Sequence, residues 1–155
     1  MVWGTISTHG IGRLHVVEGM MNAGKYIQVL DTRLQPQLSD LFPDGNAVLM
    51  HDGAPCHRAR EVERYLEGCG LEVLPWPGNS PDMNPIEGIW KLLKDRVNSV
   101  TVTNKRQLLE RIIHAWHHNA EIRDYAIRYI DGMPDRIKAL IKAKGGPTKY
   151  LNIEH

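Results

Sequence analysis

Apolar residues along this chain change their spacing several times, and each change marks an element. Residues 2–7 and 13–18 are short runs rich in Val, Ile, Trp and Leu, with Gly10 and Gly12 between them, which predicts two strands joined as a hairpin. From Asn22 the spacing lengthens. Tyr26, Ile27, Leu30 and Leu34 recur at helical intervals behind an Asn that suits an N-cap, predicting a helix over 22–34 that Gln35-Pro36 strains or ends. Turn chemistry at Pro43-Asp44-Gly45-Asn46 then leads into an apolar run at 47–50, read as a buried strand.

The next helix is predicted over 57–67, with Ala59, Val62 and Leu66 on one face and Gly68 and Gly70 to close it. Residues 71–74 form another short strand. Asn84-Pro85-Ile86-Glu87 opens a helix whose apolar stripe is Ile86, Ile89, Trp90, Leu93 and Val97. Asn104 and Gln107 form a second capping box, opening a helix over 105–118 with Leu108 or Leu109, Ile112 and Trp116 inward. Two more helices follow over about 122–130 and 135–143, and Gly145-Gly146-Pro147 stops the last. The order strand, strand, helix, strand, helix, strand, helix suits a mixed sheet covered by helices, with ligands beyond the strand ends. No repeat or low-complexity segment interrupts it.

Composition narrows the class. With 155 residues, 42% hydrophobic and 24% charged, the chain matches an ordinary globular protein with one core. Cys56 and Cys69 make neither a disulfide framework nor a CxxC pair, which points to a reducing compartment. No secretory leader opens the chain and no apolar run reaches membrane-spanning length, so a soluble intracellular protein is expected. The net charge of +1 is unevenly spread. Residues 1–87 carry 6 Lys/Arg and 11 Asp/Glu, while 88–155 carry 13 and 7. An acidic half beside a basic half fits metal-dependent work on a polyanion, and fits two solvated faces equally well.

Two carboxylates stand out. Asp52 follows directly on the 47–50 run and precedes Gly53 and Pro55, so a strand delivers it to the rim of a sheet. Glu87 lies just inside a helix start. Hard anionic oxygens on two rigid elements can share a divalent metal. Each also has a purely structural reading: Asp before Gly makes an Asx turn, and Glu87 at the third helical position reaches back to the Asn84 amide. Asp82 is a further ligand or, more simply, a turn residue between Pro81 and Pro85. His51, Cys56 and His57 around Asp52 match no standard zinc spacing, and adjacent Cys56 and His57 make a poor nucleophile pair. His114, His117 and His118 are a helix end first and a metal site second. Arg123, Arg128, Arg136, Lys138, Lys142 and Lys144 face phosphate or plain solvent.

Longer motifs carry a resemblance. His51-Asp52-Gly53-Ala54-Pro55-Cys56-His57, the stretch from Trp76-Pro77-Gly78-Asn79-Ser80-Pro81-Asp82-Met83-Asn84-Pro85-Ile86-Glu87 to Trp90, and Ala143-Lys144-Gly145-Gly146-Pro147-Thr148-Lys149-Tyr150 follow in order. Together they resemble the catalytic domain of Tc1/mariner-type transposases, which are DDE/D endonucleases. The resemblance implies an α/β, RNase H-like mixed sheet flanked by helices, with the first strand missing and a helical C-terminal extension. On that basis residues 1–100 are an incomplete catalytic domain, 101–145 its helical C-terminal part, and 146–155 a tail.

The resemblance makes Asp52 the second acidic residue and Glu87 the third, with thirty-four residues between them. It implies Mg²⁺ or Mn²⁺ as a two-metal site, DNA cleavage and strand transfer as the activity, and a nuclear location. The family's first Asp has no counterpart, so the metal site is expected to be weakened and the chain inactive as a nuclease. The family's DNA-reading helix-turn-helix units are likewise expected to be absent, leaving weak non-specific DNA binding. The alternative is a non-catalytic remnant that binds DNA or associates with itself or with full-length transposase. An unrelated α/β protein in which both acids only cap and turn is the third reading.

Overall fold

A computed structural model describes residues 1–77, 80–146 and 148. The elements are β1 (Val2–Ser7), β2 (Gly10–Val16), α1 (Ala23–Val29), α2 (Gln35–Leu41), β3 (Val48–Leu49), α3 (Arg60–Gly68), β4 (Glu72–Val73), α4 (Pro85–Asn98), α5 (Lys105–His118), α6 (Ala120–Asp131) and α7 (Met133–Lys142). They divide into two compact units. One comprises 1–5 and 12–80; the other comprises 6–11, the tip of the first hairpin, with 81–155.

In the first unit, α1 runs through a π-helical turn, Leu30–Leu34, straight into α2. Pro36 strains the helix without ending it. Proline has no N–H to give and would crowd the carbonyl four residues back, and the wider turn, in which the Gln35 N–H reaches the Leu30 carbonyl, relieves both. The continuation is held by tertiary contacts. Gln37 is buried, its Oε1 accepts from the Arg13 N–H at 2.8 Å and its Nε2 donates to Thr5 Oγ1 at 2.7 Å. One side chain thereby ties α2 to both hairpin strands.

The core of this unit is Tyr26, Leu30, Leu34, Val62 and Leu66, with Trp3, Ile27, Leu38, Leu49, Ala59 and Leu71 packed around it. The predicted stripes on α1 and α3 are therefore the buried ones. Each aliphatic side chain here contributes about 2 kcal/mol by leaving water. The start of α3 is three residues later than the spacing predicts, at Arg60. Residues 55–58 instead form a turn in which the N–H groups of His57 and Arg58 donate to the Ala54 carbonyl.

The strands pair as two two-stranded ladders, β1 with β2 and β3 with β4. The second pair is parallel, Val48 opposite Glu72 and Leu49 opposite Val73. Val48 is 50% exposed, so the run at 47–50 is not the buried strand its apolar residues suggest. Among the described residues it has a ladder partner along one edge, β4.

In the second unit, α4 packs on α5 and α6. Ile89, Trp116, Ile122 and Ala126 are fully buried, and Trp90 stacks on Trp116 with ring centroids 5.3 Å apart. Trp90 is thus a packing residue, as its position on the apolar stripe predicts. The α5 bounds match the predicted 105–118, and its cap is formed by the Gln107 N–H donating to Asn104 Oδ1 at 3.0 Å. Among the described residues no helix is long and apolar enough to cross a membrane. The predicted tail at 146–155 lies, apart from Gly146 and Thr148, outside the described residues, as do Gly78 and Asn79 of the proline-rich motif.

Candidate functional site

Asp52 lies three residues past the end of β3, on a stretch that is neither helix nor strand, with its side chain 53% exposed. The carboxylate is tied down from one side. Oδ1 accepts from the Ala54 N–H at 3.0 Å, the Asx turn expected of Asp before Gly. The same oxygen meets His57 Nδ1 at 2.7 Å, a separation that calls for a proton on that nitrogen. His57 Nδ1 also lies 3.2 Å from the Asp52 carbonyl oxygen.

Behind His57 stand two more rings. The imidazoles of His51 and His57 are parallel to within 5°, with centroids 5.0 Å apart, and the Tyr26 ring lies 4.2 Å from that of His57. Tyr26 Oη is 2.9 Å from His51 Nδ1. Burial raises the Tyr26 hydroxyl well above its usual range, and the nearby Cys56 and Asp52 add to this. Burial also lowers His51 to about 4, helped by His57 and opposed by Asp52. Tyr26 therefore keeps its proton and donates it, and a neutral His51 accepts it at Nδ1 and carries its own proton on Nε2. Both histidines thus have Nδ1 committed, one to a hydroxyl and the other to a carboxylate.

Glu87 belongs to the second unit and is exposed on the first turn of α4. The helix start carries the predicted cap. Asn84 accepts from the Ile86 N–H at 3.3 Å, and Pro85 occupies the first helical position. The Asn84 N–H donates to the Pro81 carbonyl at 3.0 Å. A 3-10 turn at Pro81–Met83 brings that carbonyl into place. Asp82 sits in this turn, as its flanking prolines predict.

Two tyrosines on α6 complete this seat. Tyr129 Oη donates to the Asp82 carbonyl at 3.0 Å. Tyr125 packs so closely on Gly88 that a Cβ there would lie 2.7 Å from two of its ring carbons and closer still to its hydroxyl. The Arg136 guanidinium lies over the Tyr129 ring at 3.8 Å. Burial raises both tyrosine hydroxyls above their ordinary value. Neither Tyr26 nor this pair is flagged as functional by apolar periodicity. The usable signal is that a tyrosine within a helical stripe must find a partner for its hydroxyl.

The donor chemistry of both acids fits a hard divalent cation, since each offers exposed carboxylate oxygen. Among the described residues no group of three or more His, Cys, Asp and Glu side chains could hold a metal ion. The zinc readings at His51, Cys56 and His57 and at His114, His117 and His118 accordingly find no three-ligand cluster. The second unit also has an open groove of about 980 Å³ along α4, α5 and the start of α6. Arg96, Arg111, His114 and His118 line it beside Glu110 and Glu121, and Arg96 is ion-paired to Glu121. It contains neither Asp52 nor Glu87.

A family model, DDE superfamily endonuclease, matches residues 1–110, which takes in both acid-bearing motifs. The chain belongs to that family. It is 30% identical over 150 residues to the transposable element Tc1 transposase of Caenorhabditis elegans and 32% identical over 150 residues to the Tcb1 transposase of Caenorhabditis briggsae. Each comparison takes in 97% of this chain and 54% of the relative, so the chain spans about half the length of these curated relatives.

Among solved structures, the catalytic domain of Mos1 mariner transposase superposes with a TM-score of 0.81, covering 96% of this chain and 75% of that one at 21% identity. A pre-cleavage Mos1 transpososome superposes at 0.84, with 20% identity, over 96% of this chain and 45% of that one. The Tc1/mariner resemblance carried by the motifs is borne out, and so is the α/β, RNase H-like fold. The DDE fold class here combines short parallel and hairpin ladders with a large helical share.

Proposed function

We propose that this chain is catalytic-domain sequence of a Tc1/mariner-type transposase, with Asp52 and Glu87 as its acidic metal ligands and DNA as its substrate. The observation that supports this best is the family match over residues 1–110, which spans both acids and the motifs around them. Structures of the Mos1 catalytic domain with Mg and with Mn support the choice of cation. Paired-end complexes of Mos1 support transposon DNA as the family's partner.

Bound divalent cations would supply positive charge for in-line displacement at a phosphodiester, activating the attacking oxygen and stabilising the leaving one. The residues of this chain contribute hard oxygen ligands, Asp52 from beyond β3 and Glu87 from the first turn of α4. The basic half, residues 88–155, gives weak and salt-sensitive affinity for the DNA backbone. The place of action is the nucleus. Association with a longer transposase is a second mode of action, supported by the transpososome among the structural relatives.

The resemblance matches Asp52 and Glu87 to two of the family's three acids, and the expectation to test is that residues 1–155 by themselves cleave DNA slowly or not at all. A nicking assay on supercoiled DNA with Mg²⁺ or Mn²⁺ tests this. The expected result is no metal-dependent nicking above background. Robust nicking that Asp52→Ala or Glu87→Ala abolishes would confirm the two ligands and overturn the expected inactivity. Robust nicking that both variants retain would remove the acids from the reaction.

A further inference from the structure

The rings packed around Asp52 exceed what a turn requires. An Asx turn needs a carboxylate oxygen and one backbone N–H, and Asp52 already has the Ala54 N–H at 3.0 Å. We propose that His57, braced by His51 and Tyr26, is a positioning residue that fixes the Asp52 carboxylate for a divalent cation. The inference rests on Asp52 being a metal ligand, and adds what aims that ligand.

The contacts form an unbroken path from core to surface. Tyr26 is 1% exposed and sits on α1 among Leu30, Val62 and Leu66, so its ring does not move with the loop. Its hydroxyl holds His51 at 2.9 Å, which fixes the rotation of that imidazole. The His51 ring lies parallel to that of His57, and the Tyr26 ring contacts His57 from another direction at 4.2 Å between centroids. His57 is pinned through its backbone as well, its N–H donating to the Ala54 carbonyl at 2.9 Å. With its ring and backbone both held, His57 meets Asp52 Oδ1 through Nδ1 at 2.7 Å.

Both contacts to the carboxylate use Oδ1, and neither uses Oδ2. Holding one oxygen of a half-exposed side chain from two directions selects its rotamer before a cation arrives and presents the second oxygen. Outer partners of this kind orient metal ligands in general, and their removal costs about 10–100-fold in metal affinity. The two-residue β3 explains why such support is needed: backbone pairing ends at Leu49 and Leu74, too early to orient residue 52.

Isothermal titration of the full chain with Mn²⁺, paired with NMR hydrogen exchange at the Ala54 amide, tests the inference. His57→Leu keeps bulk and loses the donor; it should weaken Mn²⁺ binding about tenfold and speed Ala54 exchange, with the amides of α3 unchanged. His57→Asn places a side-chain N–H near the position of Nδ1 and should recover most of both losses. Tyr26→Phe keeps the ring in the core and should speed Ala54 exchange while weakening Mn²⁺ by a smaller factor. This variant stands in should His57→Leu not fold.

Asp52→Asn separates the two levels. If it leaves Mn²⁺ binding at the wild-type level, the ligand reading fails and the positioning role falls with it. If it abolishes binding while His57→Leu and Tyr26→Phe leave affinity and Ala54 exchange unchanged, the ligand stands and the positioning role is refuted. Failure of His57→Asn to rescue a defective His57→Leu would also refute it, since bulk rather than the donor would then matter.

Discussion

Asp52 follows a two-residue strand in the first unit and its carboxylate is held by a neighbouring imidazole, whereas Glu87 rides the first turn of a 14-residue helix in the second, whose start is fixed by its cap and its packing. The Asp52 carboxylate is reached by an imidazole that other rings hold in place. The Glu87 position is set by an Asn cap, a proline at the first helical position and a glycine pressed under Tyr125. An acid on irregular chain needs side-chain partners to hold it, and those partners can be replaced by mutation. The backbone that carries an acid on a helix is placed by packing some distance away. The two seats should therefore fail for different reasons.

The largest effect is expected on the helical seat. Gly88→Ala drives a methyl group into the Tyr125 ring and forces that ring to move, at a cost of about 1–3 kcal/mol. Chemical denaturation should show this loss, and Tyr125→Leu added to Gly88→Ala should recover part of it. Full wild-type stability in Gly88→Ala would mean that Tyr125 yields freely and does not hold α4. The Ala54 amide should be indifferent to this change, because it donates to Asp52, which His57 of the same unit holds.

A smaller effect, on the other seat, depends on pH. His51 takes up its proton near 6.5 in the unfolded chain and near 4 in the folded one, because burial disfavours the charged ring. Between those values the unfolded state binds more protons. This contribution to stability is therefore complete above pH 6.5 and is lost as pH falls toward 4, with no further loss below. The ring is partly open to solvent, so the effect is on the order of 1 kcal/mol. Urea denaturation of wild type and His51→Phe across this range isolates it. The difference between the two should shrink on the acid side in favour of the variant, and a constant difference would contradict the assignment.

Much of this was legible in sequence, and the gaps share one cause. Both ends of helix α5 are legible because its signals are local, an Asn cap followed by a regular stripe. The burial of Tyr26, Val62, Leu66, Ile89 and Trp116 followed from spacing in the same way. Tertiary demands hid the rest. The apolar spacing starts α3 at 57, three residues early, where His57 is engaged with Asp52 and residues 55–58 turn. Helix α2 has no local signal past Pro36, because it is secured by a buried Gln37 that bonds to distant strands. The Asn84 N–H also has a partner that the capping-box pattern does not show, the Pro81 carbonyl of a 3-10 turn. As for function, both acids were visible as types and positions, while the groups that aim them were not.

Mn²⁺ calorimetry on wild type, Asp52→Asn and Glu87→Gln tests the proposed ligands most directly, since each change replaces a hard anionic oxygen by a neutral amide. The account predicts that each single change weakens Mn²⁺ binding. Wild-type affinity in either variant would contradict the assignment of that acid as a metal ligand.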